Sequence, residues 1–159
     1  MRYQLYRFAA LFILSFAIIT SAHGQQSCDQ ITRAQLRDKL VQLGYDVKDL
    51  VKDAGKEKFS VTLTKEGLDI PVAVEISGNT KYIWLTVNLG NPPTQLEAMN
   101  NTLLKKNADI QPSFFYITEG GKLMMGLPLN NLGITNAFLR DRMESIAGNV
   151  VSTRSLWQR

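Results

Sequence analysis

An imidazole titrates near neutrality, which makes histidine the common general base, nucleophile partner and metal ligand. This chain has one histidine, His23, and one cysteine, Cys28, both near the N-terminus. If residues 1–24 are removed on export, as argued below, the mature chain keeps no imidazole. A Ser-His-Asp or Cys-His site then cannot be built, and neither can the zinc sets of histidine and cysteine. No G-x-x-x-x-G-K-[ST] loop and no G-x-G-x-x-G turn occurs, so those two phosphate cradles are absent from the sequence. Carboxylates are the remaining option, in pairs such as Glu66 with Asp69 or Asp46 with Asp49. Both pairs flank turns or charged loops, where solvated surface groups are expected. The residue inventory points away from an enzyme, a metal site and a bound cofactor.

The N-terminus has the three-part plan of an export signal. Arg2 and Arg7 give a positive start, residues 8–19 form a twelve-residue apolar run, and Ser21, Ala22 and Gly24 are small. Twelve residues are too few for a bilayer, which needs about 20. A cleavable signal over residues 1–24 is expected, with no stable membrane insertion after cleavage and a periplasmic or extracellular destination. Gln25, Gln26 and Ser27 are not the trio that precedes a lipid-modified cysteine. Residues 25–31 read as a loose segment ahead of a single domain over residues 32–159. With one cysteine no disulfide can form within the chain. Cys28 is either a tolerated residue of that segment or a thiol for an intermolecular bond.

Without Arg2 and Arg7 the net charge falls from +4 to +2, with 16 basic residues against 14 acidic ones. The basic residues alternate with acidic ones, as in Lys48, Asp49, Lys52, Asp53, Lys56 and Glu57. Nucleic acid recognition wants a basic stripe along the phosphates, so nucleic acid is not an expected partner.

The mature chain reads as α+β. Thr32 and Gln35 have capping-box spacing, and Leu36, Leu40 and Leu43 make one apolar stripe that Gly44 stops. The period then changes to 2, at Phe59, Val61 and Leu63, at Leu68 through alternate residues to Ile76, and at Ile83, Leu85, Val87 and Leu89. Turns at Glu66 and Gly67 and at Ser77, Gly78 and Asn79 join these into a three-stranded meander. Thr94 and Glu97 repeat the capping box before a second helix carrying Leu96, Met99, Leu103 and Leu104. A second hairpin spans 113–118 and 122–129, in which Pro128 suits an edge or strand end because it lacks an N–H. A third helix starts near Thr135, with Leu139, Met143, Ile146 and Val150 on one face and the tail from Ser152 set apart. The expected architecture is a five-stranded, mainly antiparallel sheet with three helices in the order α-βββ-α-ββ-α.

If the aliphatic sets face the helices, the opposite side of the sheet carries Tyr82, Trp84, Phe114, Tyr116 and Met124. Aromatic and methionine side chains left exposed together mark a partner or ligand site. The alternative is that helix two, a second copy of the chain, or Leu156 and Trp157 covers them. These five residues are the candidate partner-binding set. A carrier of a lipid or other apolar small ligand is the competing reading, and it requires a cavity of roughly 300 Å³ or more between sheet and helices.

The element order, with the phrases "LVQLGYDVKD", "KYIWLTVNL", "LLKKNADIQPSFFYI" and "NNLGITNAFLRDRMESIAGNVVSTRSLW", resembles the type III secretion chaperone-like fold over almost the whole mature chain. That resemblance implies a small α+β domain, a tendency to homodimerise, and use of the sheet or helix two as an interaction surface. Members with known roles are cytoplasmic, commonly acidic homodimers that hold an unfolded stretch of a secreted protein. This chain differs in carrying an export signal and a mature charge of +2. The combined expectation is an exported, non-enzymatic binding domain that engages a protein partner as a homodimer.

Overall fold

In an extended chain successive side chains leave opposite faces, so alternating residues sort into a core side and a solvent side. The computed structural model, which describes residues 29–92 and 96–158, shows that sorting throughout. Its elements are α1 (Arg33–Gln42), β1 (Lys48–Val51), β2 (Lys58–Lys65), β3 (Leu68–Ile76), β4 (Tyr82–Gly90), α2 (Leu96–Lys106), β5 (Phe114–Ile117), β6 (Leu123–Asn130), α3 (Asn136–Ser152) and the single turn α4 (Arg154–Trp157). The expected signal over residues 1–24 and Cys28 lie outside the described residues, as does Thr94 of the second expected capping box.

The strands form one sheet in the order β1-β2-β3-β4-β6-β5, and every pairing is antiparallel. Glu66 and Gly67 make the two-residue turn between β2 and β3, both with positive φ (49° and 72°). That conformation matches the strand twist in a tight hairpin. The second hairpin enters the sheet through its later strand, so β6 separates β4 from β5. Pro128 lies opposite Trp84 of β4, beyond the Phe114–Gly126 pair where β5 begins. At Pro128 β6 therefore has a strand on one side only, which suits a residue without an N–H.

Helices α1 and α3 cover one face. The α1 capping box is formed, with Thr32 Oγ1 accepting from the Gln35 N–H (3.2 Å) and Gln35 Oε1 from the Thr32 N–H (2.8 Å). Gly44, at φ +86°, follows the helix in the left-handed region. Leu36 and Leu40 of α1 and Leu139, Met143, Ile146, Ala147 and Val150 of α3 are buried with Val61, Val72, Val74, Ile83, Leu85, Met125 and Leu127 of the sheet. Of α2, Leu103 joins this core.

Two asparagines, Asn131 buried and Asn149 partly buried, tie the loops down. Asn131 accepts from the Ile31 N–H (3.2 Å) and donates Nδ2 to Ile31 O (3.0 Å) and Thr80 O (2.8 Å). The backbone at Ile31, the last residue of the segment expected to be loose, is thereby held at the end of β6. Asn149 of α3 donates Nδ2 to Ile110 O (3.1 Å) and to the buried Ser113 Oγ (3.0 Å), fixing the loop between α2 and β5.

The sheet has six strands where five were expected, and a fourth, one-turn helix follows the third. Strand β1 escapes a search for alternation because Lys48, Asp49 and Leu50 are all exposed. Its strand geometry comes from pairing along the rim of β2, with an irregularity between Asp49 and Val51. The tail is bent by Thr153, whose Oγ1 donates to Asn149 O (2.6 Å) and competes with the helical ladder. Helix α4 restarts after the bend, and Trp157 returns its indole N–H to Val150 O (3.2 Å).

Candidate partner-binding face

The face of the sheet turned away from the helices is built by register. Trp84 of β4 stands between Glu75 of β3 and Pro128 of β6. Thr86 stands between Ala73 and Gly126, and Gly126 in turn faces Phe114 of β5. Met124 is paired with Asn88 on one side and Tyr116 on the other. Because these residues share strand parity, their side chains leave the same side. Of them only Gly126 is buried, and every side chain on this face keeps some access to solvent.

Three of the five candidate residues form one aromatic row. The Trp84 and Phe114 rings meet edge to face with centroids 6.2 Å apart, and Phe114 meets Tyr116 at 5.7 Å with planes tilted by 43°. Met124 lies beside Tyr116 in the register. Tyr82 stands apart: it is paired with Asn130 at the end of β4, is 44% exposed, and makes no ring contact among the described residues.

Gly126 is the floor of the row, and residue-type reasoning passes over it. A Cβ there would lie 3.2 Å from Tyr116 Cε1 and 3.3 Å from Phe114 Cζ. Both rings lean across β6 over a backbone with no side chain, which brings them toward Trp84. The sequence signal was the lone glycine within the alternation of β6, a mark of close approach.

Lys58 and Glu75 pair at 2.9 Å on the same face. Burial is the main influence raising the Tyr116 phenol above its ordinary value near 10, and the Glu75 carboxylate raises it further. The phenol is therefore neutral at physiological pH and serves as a hydrogen-bond donor. No hydrogen bond from the Trp84 indole N–H, the Tyr82 hydroxyl or the Tyr116 hydroxyl occurs among the described residues. The face thus combines apolar ring area with free donors.

The apolar surface continues around the β5 edge. Ile117 is 41% exposed and Leu104 of α2 is 66% exposed, and both line an open groove of about 240 Å³ with Leu103, Phe115, Tyr116 and Leu123. Leu156 and Trp157, considered as covers for the aromatic row, pack against the core instead. Among the described residues, three larger grooves open to solvent are one between α1 and the start of α3, one beside Pro112, and one between α2 and the C-terminal turn. None of the three is the interior cavity between sheet and helices that a carrier requires.

The carboxylate pairs do not converge on a cleft. Asp49 is bound by Arg37 (3.0 Å), and Asp69 accepts from the Thr64 hydroxyl (2.7 Å) on an exposed strand end.

No family model matches the chain, and no curated protein matches it. The fold is similar to that of one chain in the heterodimeric complex ExoU–SpcU from the type III secretion system of Pseudomonas aeruginosa, at a TM-score of 0.55. The match has 16% sequence identity and covers 76% of this chain and 96% of that one. At this identity the likeness concerns the fold, and it supports the chaperone-like architecture expected from the element order. Among the described residues no helix is long and apolar enough to cross a membrane.

Proposed function

We propose that the mature chain is a non-enzymatic binding domain that engages a protein partner through the Trp84, Phe114 and Tyr116 row. The observation that carries this reading is the partly exposed aromatic face: three rings in a row, Phe114 touching both Trp84 and Tyr116, with unused indole and phenol donors, on the side of the sheet opposite α1 and α3. Aromatic residues with a polar handle are the side chains that dominate protein interfaces. Tyr82 and Met124 extend the same surface at its margins. The likeness to a chain of a protein complex agrees with this reading. In the proposal the domain acts after export, in the periplasm or outside the cell, and self-association as a homodimer is one use of the face.

The test compares the mature protein with Trp84→Ala and, as a control on the polar part of the same face, Thr62→Ala. Pull-down from an envelope fraction and light scattering after size exclusion would report capture and oligomeric state. Loss of both interactions in folded Trp84→Ala, with Thr62→Ala unaffected, is the expected result. A folded Trp84→Ala that keeps every interaction would overturn the proposal.

A further inference from the structure

A carboxylate borders the aromatic row. Glu75 of β3 stands directly beside Trp84 in the register, with Lys58 of β2 on its other side. Side chains paired across antiparallel strands have Cβ atoms about 5 Å apart, so one ligand group can reach both Trp84 and Glu75. Lys58 Nζ meets Glu75 Oε1 at 2.9 Å, from the strand away from the rings, and the two side chains stay 32% and 33% exposed. No hydrogen bond to Glu75 Oε2 occurs among the described residues.

The rings and this carboxylate favour positive charge together. The face of an aromatic ring carries partial negative charge, and Glu75 adds a full one. Its reach shows at Tyr116, two strands beyond Trp84. After burial, Glu75 is what holds the Tyr116 phenol proton in place, with no cation acting the other way. A charge that opposes loss of a proton at that point also draws in a cation. Among the described residues no lysine or arginine lies over Trp84, Phe114 or Tyr116.

Elsewhere the chain fills the same combination with its own arginine. On α3 the Arg142 Cζ stands 5.3 Å from the centroid of the Phe138 ring, and Arg142 Nη2 pairs with Asp141 Oδ2 at 2.5 Å. One ring and one carboxylate thus hold one guanidinium. The sheet face offers both partners without the guanidinium.

We propose that Trp84, Tyr116 and Glu75 form a seat for an arginine side chain of the protein partner. The guanidinium lies against the exposed part of the rings, and its N–H groups donate to Glu75, which exchanges Lys58 for the incoming cation. Arginine suits this seat because its planar group offers a face to a ring and a donor edge to a carboxylate at once. A quaternary ammonium has no N–H for Glu75, and a lysine ammonium is a strongly hydrated point charge. The seat rests on the protein-binding reading of the same face and names what the partner brings to it: burial of the rings alone needs no charge, whereas an arginine seat does.

The test uses the mature chain and a capped Gly-Arg-Gly peptide, with binding followed by the nuclear magnetic resonance shift of the Trp84 indole N–H and the Trp157 indole as reference. A second peptide replaces arginine by citrulline, which keeps the shape and loses the charge. The arginine peptide is expected to move the Trp84 signal and leave Trp157 in place, and the citrulline peptide to bind about tenfold more weakly. Glu75→Gln, a change at a partly exposed side chain, is expected to weaken binding about tenfold. Lys58→Gln removes the competing cation and is expected to tighten it about threefold. Effects of opposite sign on one ion pair do not arise from a general loss of structure. Equal binding of the citrulline peptide, an unchanged affinity in Glu75→Gln, or no gain in Lys58→Gln overturns the proposal. So does tetramethylammonium that moves the Trp84 signal at lower concentration than the arginine peptide, which would make a quaternary ammonium the ligand. Pull-down from an envelope fraction separates the two readings. Capture lost in Trp84→Ala but retained in Glu75→Gln removes the arginine seat and leaves the face; capture retained in Trp84→Ala removes the face and the seat with it.

Discussion

The Trp84 and Phe114 rings meet edge to face, 6.2 Å between centroids and 81° between planes, although β6 lies between their strands. They can touch because Gly126 adds nothing to the space above β6. The aromatic row is a property of three strands and one missing side chain, and its integrity can be tested at that glycine.

Gly126→Ala places a methyl 3.2 to 3.3 Å from the Tyr116 and Phe114 rings, which must then lift. We expect a loss of about 1 to 3 kcal/mol, the usual range for overpacking, measured by urea unfolding. Nuclear Overhauser contacts between Trp84 and Phe114 should weaken at the same time. A variant as stable as the parent with those contacts intact would show that the rings have room to spare.

Asn131→Ala removes the side-chain bonds to the Ile31 and Thr80 backbone. Losing hydrogen bonds at these part-buried positions costs about 1 kcal/mol or more, and thermal melting should fall accordingly. The local sign is loss of hydrogen-exchange protection at the Ile31 amide, with the amides of α3 little changed below the global unfolding limit. Retained protection at Ile31 would mean that Asn131 is not its anchor.

Asn149→Ala should loosen the loop over residues 110–113 by releasing Ile110 O and Ser113 Oγ. A stability loss of about 1 to 2 kcal/mol is expected, together with faster exchange at Ser113. Asn149→Asp keeps the size but replaces the donor with a carboxylate and should be no better. If aspartate restores full stability, the amide donor is not what holds the loop.

Two tyrosines set the alkaline behaviour. Burial, and then Glu144, raise the Tyr45 phenol, with Arg140 acting the other way; burial, and then Glu75, raise Tyr116. A raised folded value means that the folded chain keeps these protons longer than the unfolded chain. Their contribution is therefore intact below pH about 10 and is lost as the pH climbs through the folded values. Absorbance titration near 295 nm should show late-ionising tyrosine that Tyr116→Phe reduces, and Glu75→Gln should bring Tyr116 back toward its ordinary range. An unchanged titration curve in Tyr116→Phe would refute the assignment.

Much of the fold was legible because burial imposes a period. Leu36 and Leu40 announced α1, the stripe from Leu139 to Val150 announced α3, and the alternation from Phe59 to Leu89 announced β2, β3 and β4. Strand β1 was not legible, since Lys48, Asp49 and Leu50 bury nothing and the rim of β2 alone makes them extended. The clamping asparagines were invisible for a related reason. Asn107, Asn131 and Asn149 act on backbone groups that are distant in sequence or lie across a turn, and an amide in a sequence does not name its partner.

The candidate face divides the same way. Strand parity by itself put Tyr82, Trp84, Phe114, Tyr116 and Met124 on one side of the sheet, because the side-chain period of a strand is a local rule. Which of them touch was decided only when β6 inserted between β4 and β5, setting Gly126 opposite both Thr86 and Phe114. That placement gathers Trp84, Phe114 and Tyr116 and leaves Tyr82 at the margin. The sequence by itself determined the periods, the turns and the sidedness, which depend on near neighbours. Strand order, register and the hold of Asn107 on the Phe115 backbone required the tertiary structure, because each is a pairing between segments that only the folded chain brings together.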